Sequence, residues 1–221
     1  MWVIKLGGSV THYDSLMQWL KLVVRWGDGK VIIVPGGGVY ADAVREFQRL
    51  RATMPEGHID DSQAHALAIY AMDQMARSLV AMMPALTLVR NPFEIAERGW
   101  QHRGLVWLPS EMALNQAFAT EYPLPHSWDV TSDSLAAWLA LQLDACQLLL
   151  VKSDERLLSL DQALTLPQLQ EMGMIDTGVT ALLKLARFKT RVVHQSQYML
   201  CEHGFDASHF DRCGVTSIST A

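Results

Sequence analysis

The chain predicts an α/β fold, a three-layer α/β/α sandwich on a mainly parallel open sheet, and three observations carry that expectation. Short, mostly apolar runs, at residues 1–6, 30–34 and 146–152, read as strands covered on both faces. Between them lie stretches with apolar residues at helical spacing. Strand and helix alternate along most of the length, the pattern of a doubly wound sheet.

Residues 1–6 form the first strand, and residues 13–26 place Leu16, Trp19, Leu20 and Val23 on one helical face. Gly27, Asp28 and Gly29 stop that helix before a strand over 30–34. Past Gly36, Gly37 and Gly38 come a helix over 40–51 and a longer one over 60–83, opened by the cap signal Asp61-Ser62. Strands at 86–90 and 105–108 flank the Asn91-Pro92 turn and a short helix at 94–98. A helix over 132–143 leads into the apolar strand at 146–152. Short helices around 168–169 and 180–186, a strand at 191–194, a helix near 207–212 and a last strand around 216–219 complete the order. No repeat and no Pro-, Gly- or Ser-rich linker divides the chain, so residues 1–221 are expected to form a single domain.

Composition narrows the class of function. Half of the 221 residues are apolar, enough for one substantial core. The formal charge is −5 and the 18 Lys and Arg residues are dispersed, which argues against nucleic acid as a partner. Three cysteines without a C-x-x-C pair fit a reducing compartment, and His102, His126, His203 and His209 lack the H-x-x-x-H spacing of a zinc site. Without a leader-like start or a run of about twenty apolar residues, the expectation is a cytoplasmic protein with no membrane partner.

Two glycine loops concentrate the chemistry. Lys5-Leu6-Gly7-Gly8-Ser9 and Val34-Pro35-Gly36-Gly37-Gly38 each end an apolar strand. A backbone without Cβ atoms brings N–H groups close to an anion, and a helix starting beyond it adds a positive dipole end. Neither loop has Walker or dinucleotide spacing; two such cradles together suggest phosphoryl transfer, with Lys5 neutralising the transferring group. A branched residue at Gly37 is expected to fill the anion's space and to disfavour a positive φ there. The segment Thr131-Ser132-Asp133-Ser134 opens an apolar helix; Thr131 or Ser132 is expected to cap it, and Asp133 to hold Lys5. Asp133→Asn is then expected to keep the cap and the stability while removing that charge.

The order K-x-G-G-S, V-P-G-G-G-x-x-A-D-x-V-R, T-S-D-S-L-A-x-x-L-A, and a strand ending in Lys152-Ser153-Asp154 resembles the amino acid kinase superfamily. That group includes acetylglutamate, aspartate, uridylate and isopentenyl phosphate kinases. The resemblance runs over almost the whole chain, to Gly214-Val215-Thr216-Ser217-Ile218. It implies ATP with Mg2+ carried by the nucleotide and no protein metal site. Lys5 and Asp133 would be catalytic, and Gly7, Gly8 and Ser9 would hold the ATP phosphates. Gly36, Gly37, Gly38, Thr131 and Ser132 would hold the acceptor and the transferred phosphoryl group, and Lys152, Ser153 and Asp154 would begin the nucleotide loop.

One departure stands out. Many relatives carry a second lysine in a glycine-containing segment, and residues 174–181 contain none, so either Lys184, Lys152 or Arg187 substitutes, or the chain transfers phosphate poorly, or it has become a binding protein. The helix Ala64-His65-Ala66-Leu67-Ala68-Ile69-Tyr70-Ala71-Met72-Asp73-Gln74 is similar to the small kinases of methanofuran-type cofactor biosynthesis, which phosphorylate an aminomethylfuran methyl phosphate. His65 would contact the acceptor phosphate or pack by a hydrogen bond, the commoner role in an apolar helix. The expectation is a kinase of a small anionic acceptor, foremost a phosphate monoester, working as a homo-oligomer. The alternatives are a carboxylate acceptor such as an N-acyl amino acid, or a regulatory subunit that binds nucleotide without turnover.

Overall fold

The computed structural model describes residues 1–101, 103–115, 118, 124–125, 127–159, 164–213, 215 and 218. Among them, six parallel strands form one sheet in the order β3-β4-β2-β1-β5-β6. The strands are β1 (Trp2–Leu6), β2 (Val31–Pro35), β3 (Thr87–Val89), β4 (Leu105–Trp107), β5 (Gln147–Lys152) and β6 (Lys189–His194). The register sets Lys5 beside Val34 on one side and Leu150 on the other. From central β1 the chain winds outward through β2, then crosses back to β5 on the opposite side. The β1–β5 gap is therefore the switch point, where open α/β sheets leave a crevice at the carboxyl ends of their strands.

Two apolar layers sandwich the sheet, and strand alternation assigns residues to them. Val3, Leu148 and Leu150 pack with α6 (Ser132–Gln142) and α8 (Val179–Leu185). Ile4, Leu149 and Val151 face the other way, onto Trp19, Leu20 and Val23 of α1 (Ser15–Trp26) and Phe210 of α9 (Ala207–Arg212). The remaining helices are α2 (Gly38–Ala52), α3 (Asp61–Met82), α4 (Pro92–Gly99), α5 (Ser110–Ala113) and α7 (Leu166–Glu171). α3 serves both layers, giving Ile69 and Met72 to the first and Met75, Ala76 and Leu79 to the second. No helix among the described residues is long and apolar enough to cross a membrane.

Several local expectations shift. The cap of α3 is Asp60 rather than Asp61-Ser62: its carboxylate accepts from the Gln63 N–H at 2.8 Å, while the Gln63 side chain accepts from the Asp60 N–H at 3.1 Å. That reciprocal pair satisfies two otherwise orphaned donors. α2 begins at Gly38, inside the triple glycine, so the glycines belong to the helix start as well as to the loop. A 3-10 turn over Gly8–His12, absent from the apolar pattern, carries the chain from β1 toward α1. His102, His126 and, from the last expected strand, Thr216, Ser217 and Ser219 lie outside the described residues.

Candidate active site

Lys5, one residue before the end of β1, and Lys152, the last residue of β5, stand on adjacent parallel strands and on the same sheet face, the one covered by α6. Asp133, in the first turn of α6, sits between them: Lys5 Nζ is 2.8 Å from its Oδ1, and Lys152 Nζ donates to its Oδ2. Lys5 is 5% exposed and Asp133 3%, so the carboxylate is removed from water together with Lys5, while the Lys152 side chain keeps 14% exposure. Burial by itself raises the pKa of Asp133, but Lys5 and Lys152 together outweigh it and hold the carboxyl at about 2. Lys152 moves down to about 8, first through burial and then through repulsion by Lys5, against the opposing pull of Asp133.

As the last residue of β5, Lys152 turns its ammonium to Asp133; it is one of the three residues named as substitutes for the lysine absent from residues 174–181. Lys184 on α8 and Arg187 beyond it are both exposed. Of the other two residues assigned to the nucleotide loop, Ser153 bonds Ser9 through their hydroxyls at 2.6 Å, tying the segment after β5 to the loop after β1. Asp154 is committed to Arg156, whose hydrogen bonds hold its pKa below the usual value.

The glycine loops meet backbone to backbone. A Cβ on Gly8 would lie 2.6 Å from the Gly38 nitrogen, and one on Gly36 would lie 2.3 Å from the Gly8 nitrogen. Glycine is required here first for that close approach. The positive φ expected at Gly37 occurs at Gly38, at 50°. Gly37 has a helical φ of −72°, and a side chain there meets Ala41 instead, its Cβ 2.3 Å from that of Ala41. Gly7 continues the β1 ladder, its N–H donating to Val151 O at 3.1 Å.

Beside this junction opens a cavity of about 330 Å3. Gly8, Ser9, Gly37, Gly38, Thr131 and Ser132 line it at the loops and the start of α6. His65, Ile69 and Met72 come from α3, and Arg45 and Trp128 form a further part of the wall. Glycines of both loops thus converge with Thr131, Ser132 and His65, while Lys5, Asp133 and Lys152 are not among the residues that line the cavity. His65 also has the packing role: its Nε2 lies 3.0 Å from Val130 O, which as a carbonyl can only accept, so that nitrogen carries a proton.

Sequence reasoning missed Asp176. Thr131 does not cap α6 with its side chain, and neither does Ser132; the cap comes from across the fold. Asp176 Oδ2 accepts from Thr131 N at 3.1 Å, Thr131 Oγ1 at 2.6 Å and Ser134 N at 3.1 Å, and Oδ1 accepts from Ser134 Oγ and, at 2.8 Å, from Val179 N. One half-buried carboxylate so anchors the starts of both α6 and α8. The Thr131 hydroxyl, expected to face an anion, is committed to it. The available signal was the acid three residues before an apolar helix, a cap pattern for α8 that says nothing of α6.

This arrangement, two glycine loops and a lysine–aspartate–lysine bridge at the switch point of a parallel sheet, defines a protein of the amino acid kinase family. The chain belongs to it: the family's model matches residues 1–206. It is 30% identical over 152 residues to the [5-(aminomethyl)furan-3-yl]methyl phosphate kinase of Methanocaldococcus jannaschii. That alignment covers 68% of this chain and 64% of that relative's length. Among solved structures it resembles the uridylate kinase of Archaeoglobus fulgidus, with a TM-score of 0.61 at 19% identity over 92% of this chain and 95% of that one. The UMP kinase of Ureaplasma parvum gives 0.59 at 14% identity, over 87% and 88% of the two chains. At such identities the likeness speaks for the fold.

Proposed function

We propose that this chain is an ATP-dependent kinase that transfers the γ-phosphoryl group of MgATP to a small phosphate monoester, forming a diphosphate. The acceptor proposed is the aminomethylfuran methyl phosphate named for the relative. The observation that carries this reading is the bridge of Lys5, Asp133 and Lys152 across the ends of β1 and β5, next to the junction of the two glycine loops.

An oxygen of the acceptor phosphate attacks the γ-phosphorus while the bond from that phosphorus to the β–γ bridging oxygen breaks and ADP leaves. The acceptor oxygen is already ionised, so no base is needed, and charge balances without a proton transfer. That requirement suits Asp133, which is held ionised between two lysines and serves to aim them. Its carboxylate keeps Lys5 and Lys152 together despite their mutual repulsion, so both ammonium groups stand preorganised where charge builds up between donor and acceptor. The loop amides at Gly8, Gly37 and Gly38 would add neutral donors, whereas the Gly7 N–H is already given to Val151 O. Asp133 and Asp154 are both occupied by cations of the chain, so magnesium belongs on the nucleotide's phosphates, where it would neutralise their charge. On the same reading the chain works in the cytoplasm as a homo-oligomer, with outward-facing Leu67 and Tyr70 on α3 available for self-association.

The test is ADP release from MgATP in the presence of the furan phosphate, uridine monophosphate or N-acetylglutamate. Release with the furan phosphate is expected. Release with only the acyl amino acid would move the acceptor to a carboxylate, and binding of MgATP without release for any acceptor would leave a regulatory nucleotide-binding protein.

A further inference from the structure

Part of the cavity wall is planar, aromatic and held in place. Trp128 donates its indole Nε1 to Gln48 Oε1 at 3.0 Å, and Gln48 in turn donates to Asp61 Oδ1 at 2.8 Å. The indole is thereby tied to α2 and to the start of α3. Over its ring lies the Arg45 guanidinium, 5.2 Å from the centroid and ion-paired at 2.7 Å to Asp42, which also lines the cavity. Trp128 and Arg45 present flat π surfaces to a ligand at little ordering cost, because their partners already position them.

Arg45 stands seven residues beyond Gly38 on α2, about 10 Å at the helical rise. A phosphate seated at the glycine loops would place this wall within the span of a ring joined to that phosphate through one carbon. The cavity, about 330 Å3, lies at the small end of ligand sites, and Ile69, Met72 and Val130 supply apolar lining. We infer that the Trp128–Arg45 wall selects phosphate monoesters bearing a single planar aromatic ring, by stacking, over aliphatic esters of equal size. This inference rests on the acceptor-kinase reading for its biological meaning and on the cavity alone for its binding.

Two phosphate esters of matched size separate stacking from simple burial: phenylmethyl phosphate and cyclohexylmethyl phosphate. Burial alone favours the cyclohexyl ester, which has more apolar surface. Stacking reverses that order, by about fivefold to tenfold in Kd. Calorimetric titration of the full chain, with a non-hydrolysable ATP analogue present, should show the phenyl ester binding tighter. Trp128→Leu should abolish the preference, Trp128→Phe should retain it, and Arg45→Leu should weaken it, each with circular dichroism to confirm folding. Equal affinities in the unsubstituted chain, tighter binding of the cyclohexyl ester, or no binding of either would overturn the inference. If Trp128→Leu fails to fold, the unsubstituted chain and Arg45→Leu still decide it. Parallel assays of ADP release keep the two readings apart: ring-selective binding without turnover sinks the kinase, whereas turnover without ring selectivity sinks only the wall's role.

Discussion

Asp133 and Asp176 lie at the same end of α6 and do opposite work. Asp133 is buried between two ammonium groups, and its neighbours are charges that a substrate could share. Asp176 is bonded to backbone N–H groups and hydroxyls of α6 and α8, donors that already have their acceptor and offer nothing further to a ligand. Both would read as acids at a helix start. What separates them is the strand ends beneath: two lysines rise from β1 and β5 under Asp133, whereas Asp176 reaches α6 from a loop. One carboxylate holds two cations together, and the other holds the helix that carries it.

The largest effect expected from breaking this contrast is that of Asp133→Asn. The sequence suggested a loss of rate with the cap and the stability kept. In the fold it leaves two buried ammonium groups facing a neutral amide, a loss of about 3–5 kcal/mol for an unpaired buried charge. Turnover should collapse and the melting temperature should fall with it, measured by ADP release and calorimetry on the same preparation. An unchanged melting temperature would mean that the three charges do not form one unit.

Lys5→Ala should lower kcat by about a hundredfold or more, the usual scale for removing one preorganised charge donor. Asp133 keeps Lys152 as a partner in this variant, so the fold should survive. Near-normal turnover in folded protein would take Lys5 out of the mechanism.

The third effect is one of pH. The ordinary lysine value of 10.5 is lowered to about 8 at Lys152, so its ammonium is present below that pH and lost as pH rises through it. Asp133, at about 2, stays ionised throughout the neutral and alkaline range. Turnover should therefore fall on the alkaline side of about pH 8, to about a tenth by one pH unit above it. Lys152→Arg, which stays protonated, should remove that alkaline limb even if its maximum rate is lower. A limb that persists in the arginine variant would assign it to another group.

Asp176→Asn should act mainly on stability. The amide cannot accept from all five donors, and the loss of about 2 kcal/mol corresponds to a fall in melting temperature of about 4–8 °C at this chain length. Its effect on kcat should stay within a few-fold, below that of Lys5→Ala. A hundredfold loss of rate at full stability would place Asp176 with the charged bridge and erase the contrast.

Much of this molecule was legible before folding. The apolar strands, the helical faces of α1 and α3 and the two glycine loops are local patterns with periods that a single segment displays. Lys5 and Asp133 could be paired on paper because each sits in a distinctive short motif. Lys152 could not be assigned so directly: within Val151-Lys152-Ser153 it looks like the exit of a strand, and its partnership depends on β5 lying next to β1 with α6 over both. Asp176 lies 45 residues from Thr131, and no local pattern connects them. The glycines were legible as necessary but for an incomplete reason, since the contact between Gly8 and the residues from Gly36 to Gly38 is a tertiary event.

The sequence by itself therefore determined the class of fold, the strand ends where chemistry gathers and the identity of the first lysine and its aspartate. Only the tertiary structure decided which second cation completes the bridge, which acid caps α6 and which aromatic group walls the cavity. The physical reason is one of range. Strand and helix patterns follow from the geometry of consecutive residues, whereas the energy of a buried charge depends on whichever distant side chains packing brings within a few ångströms of it.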